Sequence, residues 1–189
     1  MDKAREAALK ALSEIEGRDA YSNLVLKKVL RDGSLDGRDK AFVTELVYGT
    51  VSRKLTLDWV LSRFSKTKLT KLEQMVLQIL RMGAYQLLFL DRVPASAACN
   101  TAVDLSKKYA KASGGFINAI LRNISRQKEA LDLQNPQTGS LSGDLSVQYA
   151  FPEYLVKDWL LEFGEAFTRD LLEALLQRPD FSVRVNTLK

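Results

Sequence analysis

From Lys3 to Gly17 the apolar positions Ala4, Ala7, Ala8, Ala11, Leu12 and Ile15 recur at three- and four-residue intervals, one face of a helix with a 3.6-residue period. Gly17 stands where such a helix would stop. Ser22 is placed to cap a second helix carrying Leu24, Val25, Val29 and Leu30, which Gly33 ends. Asp36 precedes a third run with Phe42, Val43, Leu46, Val47 and Val51, and a fourth covers about Leu55 to Phe64. The long fifth, Leu69 to Leu90, carries Val76, Ile79, Leu80, Gly83, Leu87 and Leu90 on one side. Pro94 suits the first turn of a sixth helix, whose inner face is Ala98, Thr101, Ala102, Leu105 and Tyr109. Gly114-Gly115 breaks the chain before a seventh helix, starting near Phe116 with Ile117, Ile120, Leu121 and Ile124. Nothing in residues 1–128 alternates with period two. The pattern predicts an all-α bundle of about seven helices there.

The character of the chain then changes. Gln134 to Ser146 is rich in Asn, Gln, Gly and Ser and predicts a linker, placed at 129–146. Tyr149, Phe151, Tyr154, Trp159 and Phe163 follow as an aromatic cluster, with amphipathic stretches over about 153–163 and 165–177, the last ended by Pro179. From Phe181 to Lys189 the side chains alternate, Phe181, Val183 and Val185 against Ser182 and Arg184, a strand signal. A lone strand leaves its backbone groups without partners. Residues 147–189 therefore read as the opening of a further unit and the chain as a fragment of a longer protein.

Composition narrows the chemistry. Apolar residues make up 46% and charged residues 27% of the 189, and there are only four prolines, all fitting a soluble helical protein. No stretch approaches the roughly 20 uncharged residues of a membrane span, and no signal peptide is legible. There is no histidine, which removes His-based acid–base catalysis and every His-dependent triad. One cysteine gives no disulfide framework, no Cys/His metal site and an expectation of the reducing cytoplasm. Cys99 lies near a helix start, where a thiol is activated, but small apolar neighbours favour a packed role. The only close glycine pair stands between helices rather than after a strand, so no nucleotide or other cofactor site is expected in this chain, and no catalytic residue.

Charge points to a partner. The net +5 divides unevenly: residues 1–128 carry 23 Lys and Arg against 13 Asp and Glu, and residues 129–189 carry 5 against 10. A basic half of that size suits a polyanion as well as a merely solvated surface. Lys3, Arg5 and Lys10 mark the first helix, Lys107, Lys108 and Lys111 end the sixth, and Arg122 and Arg126 lie one turn apart on the seventh. These flank Phe116 and Asn118, an aromatic that stacks a base and an amide that reads its edge, unless Phe116 is core. Arg81 and Tyr85, at i and i+4 among apolar residues, are either a polar pair serving a surface groove or buried hydrogen-bonding groups.

Residues 1–128 resemble NusB-type antitermination factors and, more closely, the NusB-like domain heading the RsmB (Sun/Fmu) family of rRNA cytosine-C5 methyltransferases. The resemblance is carried by Ala20-Tyr21-Ser22-Asn23-Leu24, Leu46-Val47-Tyr48-Gly49-Thr50-Val51, Leu57-Asp58-Trp59 and Leu80-Arg81-Met82-Gly83-Ala84-Tyr85-Gln86-Leu87. Asn100 with Lys107-Lys108, and Gly115 through Arg122, complete it. Pro152 through Trp159 and Arg184 through Lys189 look like the segment opening the methyltransferase portion, here 147–189, which a stand-alone NusB-type factor lacks. The resemblance implies ribosomal RNA as partner, with a ribosomal protein as a further candidate. It implies S-adenosylmethionine for the full-length parent only, since the family's catalytic domain is not in this sequence. Carried over residue by residue, it implies an RNA-binding role for Phe116 and Asn118 and, more loosely, for Lys3 and Arg5.

Overall fold

The computed structural model describes residues 2–18, 20–31, 33–177, 183–185 and 187. The alanine–leucine stripe of the first segment becomes α1 (Lys3–Arg18), with Ala4, Ala8, Leu9, Ala11 and Leu12 buried. Helix α2 (Ser22–Val29) starts at Ser22, but its cap position is Tyr21 and no side chain caps it. Helix α3 (Gly37–Ser52) is capped as expected: the Asp36 carboxylate accepts from the Asp39 amide at 2.7 Å. Helix α4 (Lys54–Phe64) follows almost without a loop.

The long fifth segment is divided. Leu69–Lys71 forms a single 3₁₀ turn, Leu72 and Glu73 are extended, and α5 runs only from Gln74 to Phe89. A turn of three residues places Leu69 and Leu72 on one side, where both pack against the core, and leaves Thr70 and Lys71 exposed. Helix α5 is the axis of the bundle, buried at Val76 and from Gln78 through Leu87. It packs against α1, α3, α4, α6 (Ala95–Tyr109) and α7 (Gly114–Gln127). Gly83 admits α7 closely: an added Cβ would stand 2.6 Å from a Leu121 methyl. Each fully buried Leu or Ile of this core contributes roughly 1.5–3 kcal/mol of transfer free energy.

Two sequence-based boundaries move. Gly114-Gly115 does not interrupt the chain; it forms the first turn of α7. The break falls at buried Ala110 (φ −154°, ψ 57°), followed by a 3₁₀ turn at Lys111–Ser113. The expected linker is shortened by α8 (Leu141–Tyr149), capped by Ser140, whose hydroxyl accepts from the Gly143 amide at 3.0 Å.

Helix α9 (Glu153–Leu176) joins the two expected amphipathic stretches and kinks between them at Gly164 (φ 76°, ψ 174°). Leu145, Val156 and Leu172 form a second small core with Tyr149, Phe151, Trp159 and Leu160 around it. This unit docks on the bundle through α4: the Thr56 hydroxyl donates to the Val147 carbonyl at 2.5 Å, and Arg53 donates to that of Gln148 at 3.3 Å. The expected strand lies partly outside the described residues, as do Pro179 and Phe181; Val183–Val185 has no regular structure and both valines are exposed. Among the described residues the fold is all-α, as the periodicity of residues 1–128 predicted.

Candidate nucleic-acid interface

The structure brings together two basic clusters that lie about a hundred positions apart in sequence. Lys3 and Lys10 are exposed on α1, with Glu6 between them. The Glu6 carboxylate accepts from Lys108 Nζ of α6 at 2.6 Å, pairs with Lys10 at 3.4 Å and accepts from the Tyr109 hydroxyl. Those hydrogen bonds, from Lys108 first and Tyr109 second, hold the Glu6 pKa down at about 2 against an ordinary 4.5. Periodicity could not find this junction, because only the local Glu6–Lys10 spacing is written in sequence.

Arg5 does not share that surface. It is 8% exposed, donates to Gln86 Oε1 of α5 at 2.6 Å, pairs with Asp2 and lies over the Phe42 ring. The expectation of a phosphate-facing Arg5 is therefore corrected: its partners are a buried amide, a carboxylate and a ring.

Helices α6 and α7 form an antiparallel hairpin along which the other candidates fall. Lys107 and Lys111 are exposed at its closed end, Lys107 paired with Asp104 at 2.7 Å. Phe116 is half-buried against the bundle core, and Asn118 is half-buried one turn before Arg122, accepting from Arg122 Nε at 2.9 Å. Arg122 and Arg126 are exposed and border a cleft of about 200 Å³ with Ser96, Ser125 and Cys99. Cys99 is 3% exposed; burial pushes its thiol pKa up, opposed by nearby Arg122, which accords with a packed cysteine.

Arg81 and Tyr85 are resolved in favour of buried hydrogen bonding. Arg81 is 4% exposed and holds both carboxylate oxygens of Asp58 at 2.7 Å, with Glu16 at 3.3 Å and Lys54 closing the set from Glu16 at 2.8 Å. This fork ties α1, α4 and α5 together. Tyr85 is 6% exposed and donates to Glu45 of α3 at 2.7 Å. Of the two alternatives, the surface groove is the one set aside, and with it an RNA-facing role for either residue.

That leaves Lys3, Lys107, Lys108, Phe116, Asn118, Arg122 and Arg126 as candidates, spread over the start of α1 and the two helices of the α6–α7 hairpin. Sequence reading did not anticipate a groove of about 1130 Å³ between α3 and the end of α9, bordered by Tyr48, Val51, Arg92, Phe151 and Leu175. It arises where the second unit meets the bundle, a junction without local periodicity.

The family model described as the NusB family matches residues 2–126. The chain belongs to the NusB family. Its similarity to that family's free-standing members stops near the end of the bundle: it is 34% identical over 129 residues to the transcription antitermination protein NusB of Bacillus licheniformis, covering 67% of this chain and 96% of that protein. A second group covers α8 and α9 as well. The probable ribosomal RNA small subunit methyltransferase B of Bacillus subtilis is 35% identical over 188 residues, covering 98% of this chain, and that of Synechocystis is 35% identical over 194 residues, covering all of it. This chain spans only 41% and 42% of the length of those two relatives. Among solved structures, T. maritima NusB matches with a TM-score of 0.62 at 28% identity, over 67% of this chain and 90% of its own. The chain titled PH0851 matches 92% of this one with a TM-score of 0.68 at 16% identity, which speaks to the fold alone. The second of these matches, at 92% of this chain, extends into the unit built on α8 and α9.

Proposed function

We propose that this NusB-family chain is the RNA-binding front portion of an rRNA cytosine-C5 methyltransferase, holding ribosomal RNA for a catalytic portion outside this sequence. The reading rests chiefly on the whole-length similarity to rRNA small subunit methyltransferase B relatives, which includes α8 and α9, whereas the antitermination relatives stop at the bundle. Exposed basic residues on α1, α6 and α7 support it. In this reading those lysines and arginines meet phosphates, and half-buried Phe116 and Asn118 are the proposed base contacts.

S-adenosylmethionine is assigned to the parent. The chain alone is expected to be inactive. A ribosomal protein is a further candidate partner, and the cytoplasm is the expected place.

The test is RNA titration at several salt concentrations, using structured small-subunit rRNA fragments. Phosphate contacts release counterions, so affinity should fall steeply with salt. Reversing Lys107, Lys108 and Arg122 to Glu should weaken binding by about tenfold or more and flatten the salt dependence. Unchanged affinity in that variant would sink the proposed face. The antitermination reading predicts a natural gene product that ends near this point; the methyltransferase reading predicts an open frame continuing past Lys189.

A further inference from the structure

Glu6 is an acidic group at the junction of two basic clusters, and three donors converge on it. Lys108 Nζ stands 2.6 Å and Lys10 Nζ 3.4 Å from the same carboxylate oxygen, which the Tyr109 hydroxyl also meets. Two ammonium groups and a phenol around one oxyanion are the donors a phosphate oxygen would use. The Glu6 side chain is 15% exposed while those of Lys10 and Lys108 are 60% and 52% exposed, so solvent and ligand reach the lysines on their outer sides. Lys3 and Lys28 border the same groove, Lys28 itself held by Glu14 at 3.1 Å.

We infer that Glu6 is a built-in competitor for phosphate, and that it sets how tightly this surface holds RNA. The inference rests on the RNA-binding reading above. Two effects of Glu6 oppose each other. It orders the Lys108 side chain, which favours a pre-formed contact, and it cancels charge at the point where an incoming phosphate must approach. The second effect is the larger, because the carboxylate stays ionised at every pH where RNA is handled and repels phosphate whether or not Lys108 is ordered. Glu6 thus acts through Lys10 and Lys108 as an affinity-setting residue. The RNA sites it weakens most are those that place a backbone phosphate over the α1–α6 junction.

The experiment uses the full chain and a fluorescently labelled small-subunit rRNA hairpin, titrated by anisotropy from about 50 to 200 mM salt. Glu6→Gln is expected to tighten binding about three- to tenfold and to steepen the log–log salt slope by up to about 0.9 per released cation. Unchanged or weaker binding by folded Glu6→Gln would overturn the inference and make Glu6 a holder of Lys108. A second comparison uses exposed Lys108. Lys108→Ala is expected to cost about twofold with Glu6 present and about fivefold or more in the Glu6→Gln background. Equal losses in the two backgrounds overturn the inference. Were Glu6→Gln unable to fold, Lys108→Ala in the chain with Glu6 intact still decides, because a loss of about tenfold or more would mean Lys108 already carries a phosphate. A wild-type chain that binds no RNA at low salt instead removes the RNA-binding reading itself, a separate outcome.

Discussion

Tyr85 lies directly across Gly49: a Cβ added to Gly49 would stand 1.9 Å from Tyr85 Cζ and 2.1 Å from its hydroxyl oxygen. The same hydroxyl donates to Glu45, one turn earlier on α3, so the ring is held where Gly49 leaves room for it. Gly49→Ala must therefore displace the ring or α3. Overpacking of this kind costs about 1–3 kcal/mol. For a chain of this length each kcal/mol lowers Tm by about 2–4 °C. Urea unfolding measures it, and a double-mutant cycle assigns it: with Tyr85→Ala already in place, Gly49→Ala should no longer destabilise and should gain up to about 1 kcal/mol, since alanine is the better helix former. A cost unchanged by loss of the Tyr85 ring would disprove the relationship.

Arg81 provides the next expectation. Its guanidinium is the shared partner of Asp58 on α4 and Glu16 on α1. Arg81→Met keeps the bulk but removes the guanidinium from Asp58 and leaves Glu16 to Lys54. Asp58 and Glu16 side chains keep 26% and 34% of their exposure, which softens the penalty below that of a fully buried pair. A loss on the order of 3 kcal/mol is expected. RNA affinity per folded molecule should stay as it was, because the group is inside the bundle. A large change in affinity at full folding would return Arg81 to the interface.

These two residues show where sequence reading reaches and where it stops. Helix count and helix faces were legible because burial repeats every three to four residues, as the stripe of α7 does, whereas α5 is buried continuously from Gln78 through Leu87 and shows more than a stripe. The segments around Gly49 and Arg81 carried the family resemblance, but their packing depends on Tyr85, Asp58 and Glu16 arriving from other helices. Arg5 is the clearest loss: an arginine in a basic first turn looks solvated until Gln86 and Phe42, far along the chain, enclose it. The basic residues of α6 and α7 could be grouped in advance because the hairpin joining them is short. Glu6 could not be grouped with Lys108, since the two are 102 positions apart.

Glu6 also carries a pH dependence. Its pKa falls from an ordinary 4.5 to about 2 in the folded chain, so the unfolded chain binds the proton more readily. A carboxyl lowered in this way stabilises the fold above its unfolded pKa, and that contribution is lost as pH falls from about 4.5 towards 2. Wild-type and Glu6→Gln chains should therefore differ in urea midpoint at neutral pH and converge across that window. Curves that stay parallel throughout would show that the Lys108 and Tyr109 contacts are not formed in solution.

The docking of the second unit makes the most local demand. Thr56 is 1% exposed, and its hydroxyl reaches the Val147 carbonyl across the α4–α8 contact at 2.5 Å. Thr56→Val keeps the shape and deletes the donor, leaving a buried carbonyl unsatisfied at a cost of about 1–3 kcal/mol. The loss should fall on the docking of α8 and α9 before it falls on the bundle, since Leu145, Val156 and Leu172 form a core of only three buried side chains among the described residues. Hydrogen exchange resolved by segment distinguishes the outcomes. Faster exchange over 141–176 with α5 unchanged is expected. Uniform acceleration would mean that the two units unfold together, with α8 and α9 an integral part of the NusB-like bundle.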